Sequence, residues 1–270
     1  MLQSLAIALL ISIIIAAVAY WRGSLSPSGA AGALFVGILT FGFGGWEWGL
    51  LLGIFFVSSS LLSHYKEEQK QQVAEKFDKG HRRDIGQVLA NGGLGATVAL
   101  VSTFMPGEQW YLFFVGIMAT VTADTWATEL GTLSRIPPRL ITTGRPVEVG
   151  TSGGVSLLGS TVSLAGGVLI GLSAGIIIPA LNPLAMALVG GISGLIGSFF
   201  DSLLGATVQQ IYYCDHCHKE TESKIHKCGH ETQPLRGWSW LNNDLVNLIS
   251  SAVGGSIAIG LGLLAFLDIG

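Results

Sequence analysis

The sequence predicts an all-α fold, a polytopic transmembrane helical bundle of about eight crossings, seven to nine by length. Three observations carry that reading. Asp, Glu, Lys and Arg make up 11% of the 270 residues, against ~25% in an ordinary soluble domain. Half of the chain is apolar, and its mean hydropathy is +0.59. Apolar runs such as 2–18 and 176–204 are too many to share one aqueous core. A hydrocarbon layer ~30 Å thick takes ~20 helical residues per crossing, so roughly 150 to 180 residues would make the bundle. The runs are continuous rather than alternating in period two, which argues against a β-barrel.

Residues 1–20 lack a basic leader and a small-residue cleavage site before a polar chain, and read as a retained helix rather than a signal peptide. Crossings follow over 29–43, 47–62, 85–103, 109–130, 155–178, 184–210 and 241–266. The segments on either side of Gly44 and Gly45 are short and glycine-rich, and the junction reads either as a turn or as a re-entrant break. Residues 1–270 form one integral membrane domain.

Eight crossings place the connections 21–28, 63–84, 131–154 and 211–240 on one side. They hold Arg22; Lys66, Lys70, Lys76, Lys79, Arg82 and Arg83; Arg135, Arg139 and Arg145; and Lys219, Lys224, Lys227 and Arg236, which are all 14 basic residues. By the positive-inside rule this side is cytoplasmic, or stromal in a thylakoid, and both termini lie outside. The connections are then a cytoplasmic basic loop (63–84), an Arg/Gly loop (131–154) and a Cys/His loop (211–240). Most of Lys66 to Lys79 read as topology signals or contacts for anionic lipid.

Polar side chains inside membrane helices are expensive, so they are functional candidates. Asp84, Gln87 and Asn91 share one helix face at i, i+3 and i+7. Asp124 and Glu129 lie within about one and a half turns. Asp201 stands alone in an apolar helix, and Asn243, Asp244 and Asn247 open the final one. Interhelical hydrogen bonding accounts for amides and hydroxyls as well as function does. It accounts poorly for Asp124, Glu129 and Asp201 together, because no basic residue lies deep enough in a crossing to neutralise them. Carboxylates and amides are hard oxygen ligands suited to Mg²⁺, which also holds substrate phosphates.

Helices beginning near Ile85, Val155 and Leu241 start on the basic side, so their positive ends point into the layer that holds the acids. The run Thr151-Ser152-Gly153-Gly154 lets backbone approach an anion, with Arg135, Arg139 and Arg145 just before it. Acids for metal beside glycines, helix ends and arginines for phosphate fit phosphoryl or nucleotidyl transfer onto a lipid phosphate.

All three cysteines fall in one loop. Cys214-x-x-Cys217 followed by Cys228-x-His230 reads as a Cys₃His structural zinc knuckle that pins the loop over the pocket, with His216, His218 and His226 as substitutes for His230. A reducing compartment and an odd cysteine count argue against a disulfide.

The segments 84–93, 123–131, 150–156, 200–209 and 242–247, with the Cys-x-x-Cys and Cys-Gly-His loop, closely resemble the integral membrane family containing the plant and cyanobacterial phytyl-phosphate kinases, essentially end to end. Asp124-x-x-Ala127-x-x-x-Gly131 also looks like the signature of phytol and dolichol kinases. Ser152 stands where the resemblance leads one to expect an acid. The resemblance implies a kinase that transfers phosphate from CTP to phytyl phosphate, giving the diphosphate for tocopherol and phylloquinone synthesis in a plasma or thylakoid membrane. On this reading Asp124, Glu129 and Asp201 hold Mg²⁺, with Asp244 a further acid. Asn91, Asn243 and Asn247 orient phosphate oxygens, and Arg83, Arg135, Arg139 and Arg145 neutralise the triphosphate. The implied partners are a nucleoside triphosphate and a prenyl phosphate lipid, with no nucleic acid; an oligomer stays open. A CDP-lipid cytidylyltransferase and a cation- or proton-coupled transporter are the alternatives.

Overall fold

The computed structural model describes residues 2–66 and 82–267; Lys70, Lys76 and Lys79 lie outside them. Eight α-helices occur among the described residues: α1 (Leu2–Trp21), α2 (Pro27–Leu39), α3 (Trp46–His64), α4 (Ile85–Phe104), α5 (Gln109–Gly131), α6 (Leu157–Ile177), α7 (Pro183–Thr207) and α8 (Asn243–Leu267). Their bounds follow local chemistry. The Ser26 hydroxyl accepts from the Gly29 N–H with Pro27 in the first turn, and Asn182 with Pro183 does the same for α7. Asp84 and Gln87 form a reciprocal capping box at α4, and Ser156 caps α6.

A π-turn over Thr40–Gly44 and Gly45, at φ +91°, separate α2 from α3. Ser26 at the start of α2 bonds the Arg83 carbonyl, and Ser63 at the end of α3 lines the same cavity as Arg83. The two helices therefore run in opposite directions and the chain reverses at Gly44 and Gly45, with 27–44 and 46–64 each long and apolar enough to cross a membrane. The predicted crossing to residue 210 ends earlier, at Thr207, because Gln209 and Gln210 turn away to bond Glu222 and the Arg236 carbonyl.

The connections also fold. Strands β1 (Arg139–Leu140) and β2 (Gly154–Val155) pair antiparallel. Strands β3 (Ile211–Cys214), β4 (Lys219–Thr221) and β5 (Gln233–Arg236) make an antiparallel sheet in the order β4-β3-β5. These short strands were not part of the all-α expectation. They serve to hold the two long loops in shape.

Among the described residues six segments are long and apolar enough to cross a membrane, spanning 27–44, 46–64, 85–104, 157–177, 183–207 and 243–264. The apolar part of α1 is Leu5–Trp21. Helix α5 is the centre of the bundle: every residue from Tyr111 to Ala123 except Phe113 is buried, and Phe114, Ile117 and Met118 are completely so. Outside, Ile7, Leu10, Ile14 and Val18 of α1 and Leu184, Leu188, Ile192 and Ile196 of α7 form exposed apolar stripes at helical spacing. Thr120, Thr122, Ser163 and Ser193 are buried inside. Apolar groups outward and hydroxyls inward is the arrangement of a chain whose solvent is lipid.

Close approach of backbones makes the seams. A Cβ on Gly171 would meet the Met186 carbonyl oxygen at 2.0 Å, whereas one on Gly260 would meet nothing within 4 Å. Gly171→Leu is expected to destabilise the protein by about 1–3 kcal/mol, read as a lowered thermal midpoint in detergent, and Gly260→Leu to leave the midpoint unchanged. Equal effects at both positions would contradict this packing.

Candidate functional site

One cavity of about 760 Å³ occupies the end of the bundle where α1 joins α2, α3 ends and α4, α6 and α8 begin. The predicted site residues Arg83, Gln87, Asn91, Asp124, Glu129, Thr151, Ser152, Gly153, Gly154, Asp201, Asn243, Asp244 and Asn247 all line it. Five segments far apart in sequence thus meet in one place. Arg135, Arg139 and Arg145 do not line it; they are exposed on the 131–154 loop, where Arg139 donates to the Gly144 carbonyl at 2.8 Å. Asp84 is also outside the lining, because its carboxylate accepts from the Gln87 N–H at 2.9 Å to cap α4.

The acids divide between two walls. Asp124 of α5 accepts from Ser198 of α7 at 3.5 Å, and Asp201 of α7 accepts from Ser250 of α8 at 2.8 Å. Among the described residues neither carboxylate is ion-paired. Glu129, five residues beyond Asp124, projects around the helix to α3, where Ser63 donates to it at 2.7 Å. Close packing sets this geometry: Gly197 lies against Thr120 and Gly194 against the Ala119 carbonyl, drawing α7 onto α5.

Arg83 is fixed by its backbone. Its N–H donates to the Ser24 carbonyl and its own carbonyl accepts from the Ser26 N–H, both at 3.0 Å. Its guanidinium carbon lies 5.7 Å from the ring centres of Phe55 and Phe56. Among the described residues its buried Nη1 has no hydrogen-bond partner. Burial lowers its pKa from the ordinary value, and the Glu129 carboxylate opposes that shift.

The glycine loop sits against the other side. Gly150 and Gly153 have φ of +82° and +83°, and a Cβ on Gly153 would meet Ala206 Cβ at 2.4 Å, so both backbone angle and space demand glycine there. Ser152 donates to Gln209 at 3.1 Å, and Gln209 donates to Glu222 at 2.8 Å. Lys224 and Lys227 line the cavity from the Cys/His loop. Sequence reasoning missed Ser63, Gln209, Glu222, Lys224 and Lys227 as site residues. The last three were accessible through the expectation that this loop covers the pocket.

The same loop gathers sulfur and nitrogen. Cys214, Cys217, Cys228 and His226 bring one ligand atom each within 4.8 Å of one another. The Cys214 and Cys228 sulfurs are 3.7 Å apart, close to the edge of about 3.8 Å in a tetrahedron with ~2.3 Å metal–sulfur bonds. His226, one of the expected substitutes, falls in this grouping, while His230 falls in a second one with His216 and Cys228. The Ile225–Glu231 bridge turns His226 inward to 4% exposure and leaves His230 exposed. His230 stacks on His216 with ring centres 4.1 Å apart, and its Nδ1 is 3.5 Å from the Cys228 sulfur. His218, the remaining substitute, lies in neither grouping.

Fold and site define a polytopic membrane protein with a polar, acid-bearing cavity at one end of its bundle. The chain belongs to the integral membrane protein family DUF92, which it matches over residues 10–255, in agreement with the resemblance carried by its motifs. It is 34% identical to Protein PGR of Arabidopsis thaliana over 90% of this chain and 91% of that one. It is 32% identical to the uncharacterized membrane protein MJ0933 of Methanocaldococcus jannaschii, over 87% of this chain and 84% of that one. It is 31% identical to the chloroplastic Protein VTE6 of Arabidopsis thaliana, over 87% of this chain and 64% of that one. No solved structure matches it.

The cysteines differ in acidity. Hydrogen bonding from the His230 backbone, then from His226, holds the Cys228 thiol down at about 5, while the hydrogen bond with Cys228 followed by desolvation pushes Cys217 up to about 11. In chelator-treated protein Cys228 is therefore already thiolate at pH 7. Its alkylation rate is expected to stay flat between pH 7 and 9, while that of Cys217 climbs about tenfold per unit. Peptide mass spectrometry separates the two; parallel pH profiles would contradict the assignment.

Proposed function

We propose that the protein is a kinase acting on a prenyl monophosphate, with phytyl phosphate as acceptor and CTP as donor. The observation that carries this reading is the meeting of Asp124 and Asp201 with cations and helix N-termini in one cavity at the end of a lipid-facing bundle. The family resemblance and the relation to VTE6 support it. An oxygen of the lipid monophosphate attacks the γ-phosphorus of the nucleotide. The bond from that phosphorus to the β–γ bridging oxygen breaks, and the nucleoside diphosphate leaves with the electron pair. The acceptor is already ionised, so no base is required.

The difficulty is bringing two polyanions together. Arg83, Lys224 and Lys227 supply positive charge, and the starts of α4, α6 and α8 bring their positive dipole ends to the cavity. Asn91, Asn243 and Asn247 orient phosphate oxygens. Asp124 and Asp201 suit Mg²⁺, since hard oxygen donors on adjacent helices share a cavity with no ion pair of their own. When bound, the ion neutralises phosphate charge. Glu129, held on the α3 wall, balances Arg83 instead. Among the described residues every base falls on a connection at the cavity's end, which supports a cytoplasmic or stromal site with both termini outside.

Labelled CTP tests the reaction. Purified protein with Mg²⁺ and prenyl monophosphates is expected to release CDP and form prenyl diphosphate. Pyrophosphate release would identify a cytidylyltransferase instead, and the absence of any nucleotide turnover would remove the kinase reading. Asp124→Asn and Asp201→Asn are each expected to lower kcat on the order of 10²-fold or more.

Cys214, Cys217, Cys228 and His226 suit a structural zinc ion. All four ligand places are protein, and His226 Nε2 is buried without a hydrogen-bond partner among the described residues. Metal analysis is expected to give one zinc per chain, kept in His230→Ala and lost in His226→Ala and Cys214→Ser. Retention in His226→Ala with loss in His230→Ala would return the fourth place to His230.

A further inference from the structure

Arg83 stands between two spaces of opposite character. On one side is the polar cavity; on the other is an apolar crevice enclosed by the first four helices, with Ile15 of α1, Val36 of α2, Leu52, Phe55 and Phe56 of α3 and Val88 of α4 among its walls. Arg83, Gln87 and Asn91 line both. Glu129 offsets the charge of Arg83, but the buried Nη1 has no hydrogen-bond partner among the described residues, and a buried donor left unmet where two spaces join is costly unless a ligand acceptor meets it.

Gly53 adds an independent observation. It lies in the middle of α3 and lines the crevice, and a Cβ placed on it would meet nothing within 4 Å. Glycine inside a helix costs about 1 kcal/mol relative to alanine. At Gly171 that cost is offset by close helix packing, whereas Gly53, like Gly260, has no neighbour within 4 Å, and of these two open glycines Gly53 is the one that lines the crevice. What the glycine preserves is open space along the crevice.

We propose that this crevice binds the apolar chain of the phosphorylated lipid, with Arg83 taking its phosphate at the boundary with the polar cavity. This rests on the kinase reading above and assigns Arg83 to the acceptor rather than to the nucleotide. The occupant is a long, flexible hydrocarbon with a single anionic head. Gln87 and Asn91, which face both spaces, supply amide groups where head and tail join. The lipid reaches the site sideways from the bilayer, and the nucleotide reaches it from water.

The test uses the full-length protein in nanodiscs with geranylgeranyl phosphate bearing a diazirine near the end of its chain, and the matching alcohol as control. Photolysis is expected to label residues of α1 to α4 around Gly53. Gly53→Leu, which fills the space, is expected to abolish the labelling. Arg83→Gln is expected to reduce labelling by the phosphate to the level of the alcohol.

In turnover, Gly53→Leu is expected to raise KM for geranylgeranyl phosphate about tenfold, the equivalent of roughly two buried methylene groups. KM for the nucleotide and turnover of a five-carbon prenyl phosphate are expected to stay at the wild-type values. Gly53→Ala, which adds one carbon to open space, is expected to shift KM less and in the same direction. Should no prenyl phosphate be turned over while the probe still labels the crevice in a Gly53-dependent way, the kinase reading fails and the lipid site stands. Turnover with labelling confined to other helices, or with Gly53→Leu affecting long and short acceptors alike, overturns the lipid site and leaves the kinase reading intact.

Discussion

Hydrocarbon offers no hydrogen bonds, so each polar group of a spanning segment must find its partner within the protein. The organisation of this bundle follows from how α5 meets that constraint. Three helices press onto α5 through residues without side chains: Gly194 against the Ala119 carbonyl, Gly166 against Ala123, and Gly254 against Thr120. Contacts this close exclude lipid and leave room for hydroxyls to bond across or along helices, as Thr120 does to Ser193 and Thr122 to Met118. The same contacts carry Asp124 and Asp201 to one cavity wall. The acids are therefore placed by packing rather than by attraction to a cation, which leaves their charge available to a ligand.

Charge in the cavity is arranged by wall. The α5, α7 and α8 side carries Asp124, Asp201 and Asp244, while Arg83 stands near Glu129 on the side of α3 and α4. Lys224 and Lys227 arrive from the Cys/His loop, which joins the glycine loop through Ser152, Gln209 and Glu222. Gln209 is 1% exposed, so this relay lies inside protein, where an unmade hydrogen bond is most damaging. It ties α7, the glycine loop and the lysine-bearing hairpin into one unit.

Much of this was legible in the sequence because membrane helices announce themselves by composition. The eight helical segments, the gathering of 21–28, 131–154, 211–240 and the described ends of 63–84 at one end, and the acids that lipid cannot explain were all read without coordinates. Side-chain destination was less legible. Asp84 shares a helix face with Gln87 and Asn91, yet it caps α4, because a carboxylate three residues before an amide serves either purpose. Arg135, Arg139 and Arg145 looked close to the glycine loop in sequence, but the β1–β2 pairing holds them on the outside. His226 and His230 have comparable spacing to the cysteines, and only the turn of the hairpin separates them. Gly53 was invisible, since a glycine in a glycine-rich apolar helix carries no mark of the empty space beside it.

Walls and acids belong to different parts of the chain. The apolar crevice is formed by residues 12–92, whereas Asp124, Asp201 and Asp244 come from helices that begin after residue 108. Among the described residues only Arg83, Gln87 and Asn91 belong to both compartments. Substitutions along the first three helices can reshape the crevice without moving an acid, and changes around the acids need not alter the crevice. On the proposed reading, this division lets the walls that seat the lipid chain vary while the acids stay in place, with Arg83 as the hinge between the two kinds of variation.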